Sequence, residues 1–329
     1  MSAADVRYDA RWQRSVRCVM RAYALTAVLS AALGTLLHFR GGHPVAVALA
    51  ADGFATLVVF AFSLEHGNTS LYDPYWHLAP PVILAYWLYA RVSVGPMRAS
   101  AWARCVAMSA VLGCWCLRLT YNWLRGWRGL EHEDWRYVKL RRAVRARGWP
   151  DAAYWFGLSL VGYHLVPTAV VFFAMLPMAV AVAGCSAPPA AGGALDALAL
   201  VVGLGSVAVQ AIADEQLRAY RRARAASPND ARFQSGVIDT GLWRYSRHPN
   251  YAGEIGHWSS FVLFALGAGA GRECALALAG WLPMVALFAF VSVPLMEAEQ
   301  AAAKPAYRSY QREVSMLLPL PRGAPASAE

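Results

Sequence analysis

The richest concentration of chemically versatile side chains in the sequence is the segment 244–254, RYSRHPNYAGE. His248 precedes Pro249, and a proline restricts the residue before it to extended backbone, so a helix is expected to begin here. Asn250 and Glu254 would then lie one turn apart on the same helix face, with Tyr251 beside them. An acid at membrane depth indicates a functional site, and this helix face therefore predicts one.

Two loops and the C-terminal segment carry most of the other polar side chains, at 118–142, 213–254 and 297–321. They combine many arginines with several Tyr and Trp. Arg binds phosphate through two parallel hydrogen bonds and Trp or Tyr stacks on a planar ring, so the mixture suits a large anionic cofactor that contains an adenine. Basic loops can also simply contact anionic lipid, and this interpretation is favoured for Arg141, Arg145 and Arg147.

The composition indicates that membrane helices position these residues. Of the 329 residues 58% are hydrophobic and 15% charged, and the mean hydropathy is +0.35. Soluble domains are about 45–50% apolar and about 25% charged, and disordered chains are poor in apolar residues, so both classes are excluded. Apolar runs long enough to cross a bilayer occur at eight places. They are 16–37, 44–63, 76–94, 101–120, 154–183, 194–213, 255–270 and 275–295.

The predicted fold is all-α, a polytopic transmembrane bundle of seven or eight spans with cytoplasmic loops that bind the cofactor. A count of seven spans remains possible because only a short glycine-rich segment separates the last two apolar runs. We expect a basic cytoplasmic arm at 1–15, one integral-membrane domain at 16–321 with its signature region at 213–321, and a disordered tail at 322–329.

The net charge of +10, from 30 Lys and Arg against 20 Asp and Glu, is distributed unevenly along the chain. Basic residues collect at 7–14, 125–147, 218–247 and 304–322, whereas the intervening loops hold only Arg40, Arg98 and Arg272. Lys and Arg are enriched in cytoplasmic loops, so both termini and both long polar loops are predicted to be cytoplasmic. The charge is then explained by the membrane, and no nucleic-acid partner is expected.

Metal sites and soluble nucleotide-binding domains are not predicted. The six cysteines form no C-x-x-C pair and lie mostly in apolar runs, and neither a G-x-G-x-x-G motif after a strand nor a P-loop is present. Asp52 lies in the middle of an apolar run, and two interpretations stay open: it lines a substrate cavity, or it forms a hydrogen bond between helices.

RYSRHPNYAGE resembles the signature of the C-terminal domain of steroid 5-alpha-reductase-type membrane enzymes. More closely, the chain resembles an uncharacterised branch, a domain of unknown function, of the superfamily that also holds sterol reductases and isoprenylcysteine methyltransferases. That branch is marked by N-S-x-x-D-x-x-W, R-x-x-E-D-x-R-Y and a closing Y-x-x-Y before Pro. The matching stretches are Asn68–Trp76, Glu133–Tyr137 and Tyr307–Tyr310 before Pro319 and Pro321, so the resemblance covers most of the chain.

This resemblance implies an NADPH-dependent reductase that acts on a carbonyl-conjugated C=C bond of a lipid, such as a sterol, polyprenyl or fatty acyl compound. Asn250, Tyr251 and Glu254 would hold the nicotinamide end. The other implied cofactor contacts are Asp214, Arg218, Arg221, Arg244, Arg247, His248, Tyr307 and Tyr310. Asp134, Arg136 and Tyr137 belong to the uncharacterised branch, and we infer that they also contact the cofactor.

Reduction of a conjugated C=C bond places negative charge on the carbonyl oxygen, so a hydrogen-bond donor must lie within reach of it. In the steroid reductases a glutamate and a tyrosine from the N-terminal half do this. The candidates here are Glu65, Tyr72 and Asp73, at the predicted cytoplasmic ends of the second and third spans, and Glu254 is the fourth catalytic candidate.

Two other functions fit part of the pattern. Methyltransferases that use S-adenosylmethionine on isoprenylcysteine or phospholipid amines have similar bundles and an R-x-x-R-H-P-x-Y segment, which matches Arg244–Tyr251. A non-catalytic lipid-binding membrane protein is the second alternative. In each case the partners are a hydrophobic lipid and the bilayer, and superfamily habit favours the endoplasmic reticulum.

Overall fold

A computed structural model describes residues 10–184, 192–269 and 273–323. Most of the predicted basic arm and the predicted tail from residue 324 onward lie outside the described residues. Within those three ranges the regular elements are helices and none is a strand, which confirms the predicted all-α class. The chain divides into two compact units, one of Met1–Met97 with Trp115–Phe173 and the other of Arg98–Cys114 with Ala174–Glu329.

The first unit is built around three consecutive helices, α1 (Ala10–Phe39), α2 (Pro44–Glu65) and α3 (Tyr75–Val92). Helices α1 and α3 each pack against α2. Proline suits the first position of a helix because its fixed φ is already helical, so α2 begins at Pro44, and the His43 side chain accepts a hydrogen bond from the backbone N–H of Val45. A 3-10 turn, Thr69–Tyr72, connects α2 to α3.

The rest of the first unit follows the long helix α4 (Ala99–Gly126), whose C-terminal half belongs to it. Helix α5 (Trp135–Ala146) is next, capped by the Asp134 side chain. A π-helical segment, Ala153–Leu165, then continues directly into α6 (Val166–Ala174).

In its described residues the second unit contains the N-terminal half of α4 and six further α-helices. These are α7 (Leu176–Ala183), α8 (Gly192–Ala226), α9 (Pro249–Gly267), α10 (Glu273–Ala286) and α11 (Val293–Ala303), followed by the short α12 (Tyr307–Glu313). Helix α9 begins at Pro249, as the His-Pro step predicted, and His248 before it is non-helical but not extended, with φ −138° and ψ 62°.

Close packing of α8 on α9 depends on two glycines of α9. A Cβ at Gly256 would lie 2.4 Å from Ser206 Oγ, and one at Gly253 would lie 2.6 Å from Gln210 Cγ and 2.9 Å from the Ser206 carbonyl oxygen. Small residues at a helix contact let two backbones approach closely. The α8–α9 pair therefore forms a tight scaffold that carries the segment 244–254.

Six helical stretches in the described residues are long and apolar enough to cross a membrane. They are Ala10–Phe39, Pro44–Glu65, Ala99–Gly126, Ala153–Ala183, Gly193–Ala226 and Leu278–Ala303. The protein is thus a polytopic helical membrane protein, although six candidates replace the predicted seven or eight. The predicted spans 76–94 and 255–270 do form helices, α3 and α9, but α3 contains two prolines and several tyrosines, and α9 starts with polar residues.

Candidate functional site

A cavity of about 630 Å³ lies inside the first unit between α1, α2 and α3. Small side chains create the space, with Ala48, Ala51 and Ala55 lining it from α2 and Gly34 from α1. Most of the remaining lining is aliphatic or aromatic. Ligand sites in proteins commonly measure about 300–1,000 Å³, so a lipid-sized apolar molecule fits this volume.

One carboxyl group and one phenol meet in the wall of this cavity. The Tyr75 hydroxyl donates to Asp52 Oδ1 at 2.5 Å, and Asp52 is only 7% exposed. Both side chains line the cavity. The hydrogen bond between helices that was one interpretation of Asp52 is thus present, and Asp52 also lines this cavity. A phenol paired with a carboxyl group can donate a hydrogen bond or a proton to a polar atom of a ligand.

A chain of buried hydroxyl groups supports this pair. Tyr72 Oη and Thr168 Oγ1 are 2.8 Å apart, and so are Thr168 Oγ1 and Thr56 Oγ1. The Thr56 hydroxyl in turn donates to the Asp52 carbonyl oxygen at 2.9 Å. These bonds satisfy polar groups that would otherwise be costly to bury, and they fix α2 at the position of Asp52.

A second polar pair lies at the other end of the cavity. His38 Nδ1 on α1 lies 3.2 Å from the Tyr86 hydroxyl on α3, and both residues line the cavity. Toward the first end, the Tyr23 hydroxyl donates to the Leu71 carbonyl oxygen at 2.8 Å. Helix α1 is therefore held by side-chain hydrogen bonds near both ends of the cavity.

The three predicted catalytic residues of the N-terminal half lie outside the cavity lining. Glu65 is exposed at the end of α2. Tyr72 is buried against His164, with ring centroids 4.8 Å apart, and its hydroxyl is bonded to Thr168. Asp73 accepts a hydrogen bond from the Tyr137 hydroxyl at 2.6 Å.

The contact between Asp73 and Tyr137 joins a predicted catalytic residue to a predicted cofactor residue. Burial raises the pKa of Asp73 to about 6, although the Tyr137 hydrogen bond and the Arg136 charge oppose this shift. Burial also raises the pKa of Tyr137. Asp134 caps α5 by accepting from the backbone N–H of Arg136 and pairs with the Arg136 side chain at 2.8 Å.

Two of the sequence stretches that carried the family resemblance bind each other. Asn68 donates to the Leu130 carbonyl oxygen at 2.7 Å, and Glu133 accepts from the Thr69 backbone N–H at 2.8 Å. Glu133 also forms a partly buried ion pair with Arg141 at 3.0 Å. Arg141 therefore has a specific partner inside the unit, whereas the sequence favoured a simple lipid contact for it.

In the second unit, the start of α9 presents the residues that were predicted for the nicotinamide end. The Asn250 amide is 3.4 Å from Asp214 Oδ1, so two predicted cofactor residues are brought together. Glu254 is buried and accepts from Trp258 Nε1 at 3.1 Å. The Tyr251 hydroxyl lies 2.9 Å from Met296 Sδ.

Arg247 and His248 both bind Glu297, a buried residue of α11. Arg247 Nε is 2.6 Å and His248 Nε2 is 2.9 Å from Glu297 Oε1. Arg247 also donates to the carbonyl oxygens of Gln311 and Val314 in the C-terminal segment. These two predicted cofactor residues therefore attach the C-terminal segment to the start of α9.

The two predicted tyrosines of the C-terminal segment belong to the same contact. Tyr307 Oη lies 3.5 Å from His248 Nε2, and the Tyr310 hydroxyl donates to the Trp243 carbonyl oxygen. Both tyrosines are buried, and burial raises the pKa of each phenol.

A separate cavity of about 560 Å³ has a basic lining that includes Arg221, Arg224, Phe233 and Gln234. Neither arginine has an ion pair within the described parts of the chain. Burial lowers the pKa of nearby Lys304, and the positive charges of Arg224 and Arg221 lower it further. Positive charge that no carboxylate balances favours the binding of an anion such as a phosphate.

The glycine at position 236 shapes this basic cavity. Gly236 has a φ of +66°, and a Cβ there would lie 3.2 Å from the Arg224 guanidinium. Two other predicted cofactor residues are not in the lining: Arg218 is partly buried on α8, and Arg244 is exposed before α9.

Several residues of these sites were not singled out in the sequence, among them Tyr75, Glu297, Arg224 and Lys304. Tyr75 and Glu297 form bonds with partners 23 and 50 positions away, and no local spacing reveals such pairs. Arg224 follows Arg221 by one helical turn, and this i, i+3 spacing is a signal that could have identified it. Lys304 is the residue directly after α11, and no spacing in the sequence relates it to Arg221 or Arg224.

Comparisons with known proteins complete the description. The chain is 28% identical to "Uncharacterized protein C594.04c" of Schizosaccharomyces pombe over 290 residues. The match covers 84% of this chain and 80% of that protein. No solved structure matches the chain. The family described as "Protein of unknown function (DUF1295)" matches residues 59–314, which is most of the chain. The matched range includes Asn68, Glu133 and the segment 244–254. The protein belongs to the DUF1295 family.

Proposed function

We propose that this protein is a membrane-embedded, NADPH-dependent reductase of a carbonyl-conjugated C=C bond in a lipid, within the steroid 5-alpha-reductase-like superfamily. The observation that carries this proposal is the Asp52–Tyr75 pair, bonded at 2.5 Å in the wall of an apolar cavity of about 630 Å³. The apolar lining suits a lipid. Asp52 is the one carboxyl group among the described lining residues, and Tyr75 is the phenol bonded to it.

The substrate carbonyl would accept a hydrogen bond from the Tyr75 hydroxyl. Reduction of the conjugated bond places negative charge on that oxygen, and a hydrogen-bond donor in the cavity wall stabilises it. With a proton on Asp52, the carboxyl group donates to the phenol oxygen while the phenol donates to the substrate. Tyr75 can then give up its proton to the reduced lipid and recover one from Asp52.

The basic cavity of the second unit fits the phosphate groups of NADPH. Arg221 and Arg224 offer guanidinium groups without ion pairs among the described residues, and Lys304 adds a third cation. Phe233 provides an aromatic face in the same lining. Bound NADPH would supply the hydride that the reduction needs. Asn250 and Tyr251, at the start of α9, remain the candidates for holding the nicotinamide.

We propose the endoplasmic reticulum as the membrane, with both termini in the cytoplasm. The clustering of basic residues at 125–147, 218–247 and 304–322 supports this orientation because the cofactor is cytoplasmic and positive loops stay on that side.

Cofactor binding tests the proposal. The purified protein in lipid nanodiscs is titrated with NADPH and, separately, with S-adenosylmethionine, and quenching of tryptophan fluorescence is recorded. We expect saturable quenching by NADPH, and we expect the double variant Arg221→Gln, Arg224→Gln to bind at least tenfold more weakly because two phosphate contacts are lost. Arg222→Gln is the matched control, since Arg222 is exposed on the same helix outside the cavity lining.

Three results would contradict this proposal. Binding of S-adenosylmethionine alone would favour the lipid methyltransferase. Binding of neither cofactor, with the lipid still bound, would favour a non-catalytic lipid-binding protein. An equal loss of NADPH affinity in the Arg222→Gln control would mean that general surface charge, rather than the basic cavity, attracts the cofactor.

A further inference from the structure

We propose that the His38–Tyr86 pair recognises a second oxygen atom of the lipid, at the end of the molecule opposite the reacting carbonyl. This rests on the proposed function, because it takes the Asp52–Tyr75 pair as the reacting end. The substrate class that follows is an elongated lipid with an uncharged hydroxyl or carbonyl group at its distal end, rather than one with a purely hydrocarbon tail.

The two polar pairs lie at opposite ends of one apolar passage. Tyr75 and Tyr86 are both on α3 and both line the cavity. They are separated by about three helical turns, so they share a helix face and are roughly 16 Å apart along the axis. The α3 residues between them in the lining are Leu78, Ala79, Val82 and Ile83, all apolar. Helix α1 adds Thr26, Ser30 and Thr35 to the lining, and the Thr26 and Ser30 hydroxyls bond carbonyl oxygens of their own helix. A ligand that reaches both ends therefore meets a mainly apolar wall, which suits a hydrocarbon middle of about that length.

The distal pair has hydrogen-bonding capacity to spare. His38 Nδ1 and the Tyr86 hydroxyl share one hydrogen bond at 3.2 Å. A phenol has one donor and two acceptor positions, and an imidazole has a second ring nitrogen, so one shared bond leaves groups that can bind a ligand oxygen. Tyr89 packs against the His38 ring, with centroids 5.8 Å apart, and holds it in place.

The charge of the lining specifies an uncharged oxygen. Apart from Asp52 at the reacting end, none of the described lining residues is an Asp, Glu, Lys or Arg. None of the described lining residues at the distal end offers a cation that could pair with a phosphate or carboxylate. A hydroxyl or carbonyl group needs only the hydrogen bonds that His38 and Tyr86 can make.

The experiment measures binding and not turnover. The probes are trans-2-tetradecenal and its ω-hydroxy derivative, which share the conjugated carbonyl and the chain length. The affinity of each for the full-length protein in nanodiscs is measured without cofactor, for the wild type, Tyr86→Phe and Tyr89→Phe. Tyr89→Phe is the matched control, because Tyr89 lines the same end of the cavity but is not bonded to His38 through its hydroxyl.

We expect the ω-hydroxy probe to bind the wild type about fivefold more tightly, as one additional hydrogen bond allows. Tyr86→Phe should remove this preference and leave the affinity for the plain aldehyde unchanged, whereas Tyr89→Phe should retain it. Equal affinity of the two probes for the wild type, or a preference that survives in Tyr86→Phe, would overturn the inference. If neither aldehyde is reduced when NADPH is added but the preference holds, the proposed reaction fails and the distal site stands.

Discussion

The local backbone determines which partner the hydroxyl groups of Tyr72 and Tyr75 reach. They are three positions apart, but Tyr72 ends the 3-10 turn whereas Tyr75 begins α3. As a result the hydroxyl of Tyr72 is used by Thr168, and that of Tyr75 meets Asp52 in the cavity wall. The sequence suggested Tyr72 as the donor, whereas the reaction proposed above uses Tyr75, which lines the cavity.

Replacing Tyr75 with Phe is expected to lower the turnover of the proposed reduction by about 100-fold or more, because the proton donor is lost. Asp52→Asn should have a similar effect, since Tyr75 then has no acid to restore its proton. The measurement is single-turnover oxidation of NADPH with a lipid that the wild type reduces. Tyr72→Phe serves as the control and should retain most of the activity while it loses one buried hydrogen bond. Equal losses in Tyr72→Phe and Tyr75→Phe would contradict the assignment of Tyr75.

Asp73 should make the stability of the protein depend on pH. Its pKa is about 6 in the folded protein against an ordinary 3.8. The folded state therefore holds the proton more tightly, and the stabilisation is complete below about pH 4 and lost as the pH rises through about 6. The shift corresponds to at most about 3 kcal/mol.

Thermal unfolding of the detergent-solubilised protein between pH 4 and 7 checks this. The wild type should lose stability over that range relative to Asp73→Asn, whose amide oxygen can still accept from Tyr137. Parallel pH profiles for the two proteins would show that Asp73 is not the titrating group.

At the scale of elements, some features follow from local sterics and others do not. The start of α9 at Pro249 was predictable because a proline restricts the residue before it. The apolar runs were also predictable, because the hydropathy of each run is a local property of its own sequence. The meeting of Asp52 with Tyr75 was not predictable, because it depends on how α2 and α3 are rotated about their axes, and no signal within either helix specifies that rotation.

The α8–α9 contact should tolerate an added methyl group unequally at its two glycines. A Cβ at Gly253 would meet the Ser206 carbonyl oxygen, which is backbone, whereas one at Gly256 would meet only the Ser206 hydroxyl. We expect Gly253→Ala to destabilise the protein by about 1–3 kcal/mol, as overpacking does, and Gly256→Ala to cost less. Thermal unfolding in detergent provides the comparison.

Ser206→Ala supplies the matching control for the two glycine variants. Added to Gly256→Ala it should restore the melting temperature, because the clashing hydroxyl is removed. Added to Gly253→Ala it should not, because the carbonyl oxygen remains. Rescue of both variants, or of neither, would mean that the contact with Ser206 does not determine the packing of these helices.

For the whole molecule, composition was sufficient to predict a helical membrane protein, and the number of spans was harder to predict. Hydropathy identifies apolar runs, but α3 and α9 combine moderate length with tyrosines, prolines and polar residues. Such helices fall between a span and a buried core helix. The six candidate spans of the described residues and the predicted eight are both even numbers, and an even number of crossings would place the two termini on the same side of the membrane.

Reporter fusions at each end of the chain test this topology. We expect a reporter that is active only in the cytoplasm to be active at both termini, as the basic clusters predict. Activity at one terminus and not at the other would require an odd number of crossings, such as seven.

Isotope transfer from cofactor to lipid measures the proposed chemistry most directly and needs no prior choice of substrate. The nanodisc-embedded protein is incubated with a total lipid extract and NADPH that carries deuterium at the reactive nicotinamide carbon, and all lipids are then compared by mass spectrometry. We expect at least one lipid to gain two hydrogens, one of them deuterium, with the wild type and not with Tyr75→Phe. Absence of deuterium from every lipid, while labelled S-adenosylmethionine adds a methyl group to one of them, would show that the protein is a methyltransferase and not a reductase.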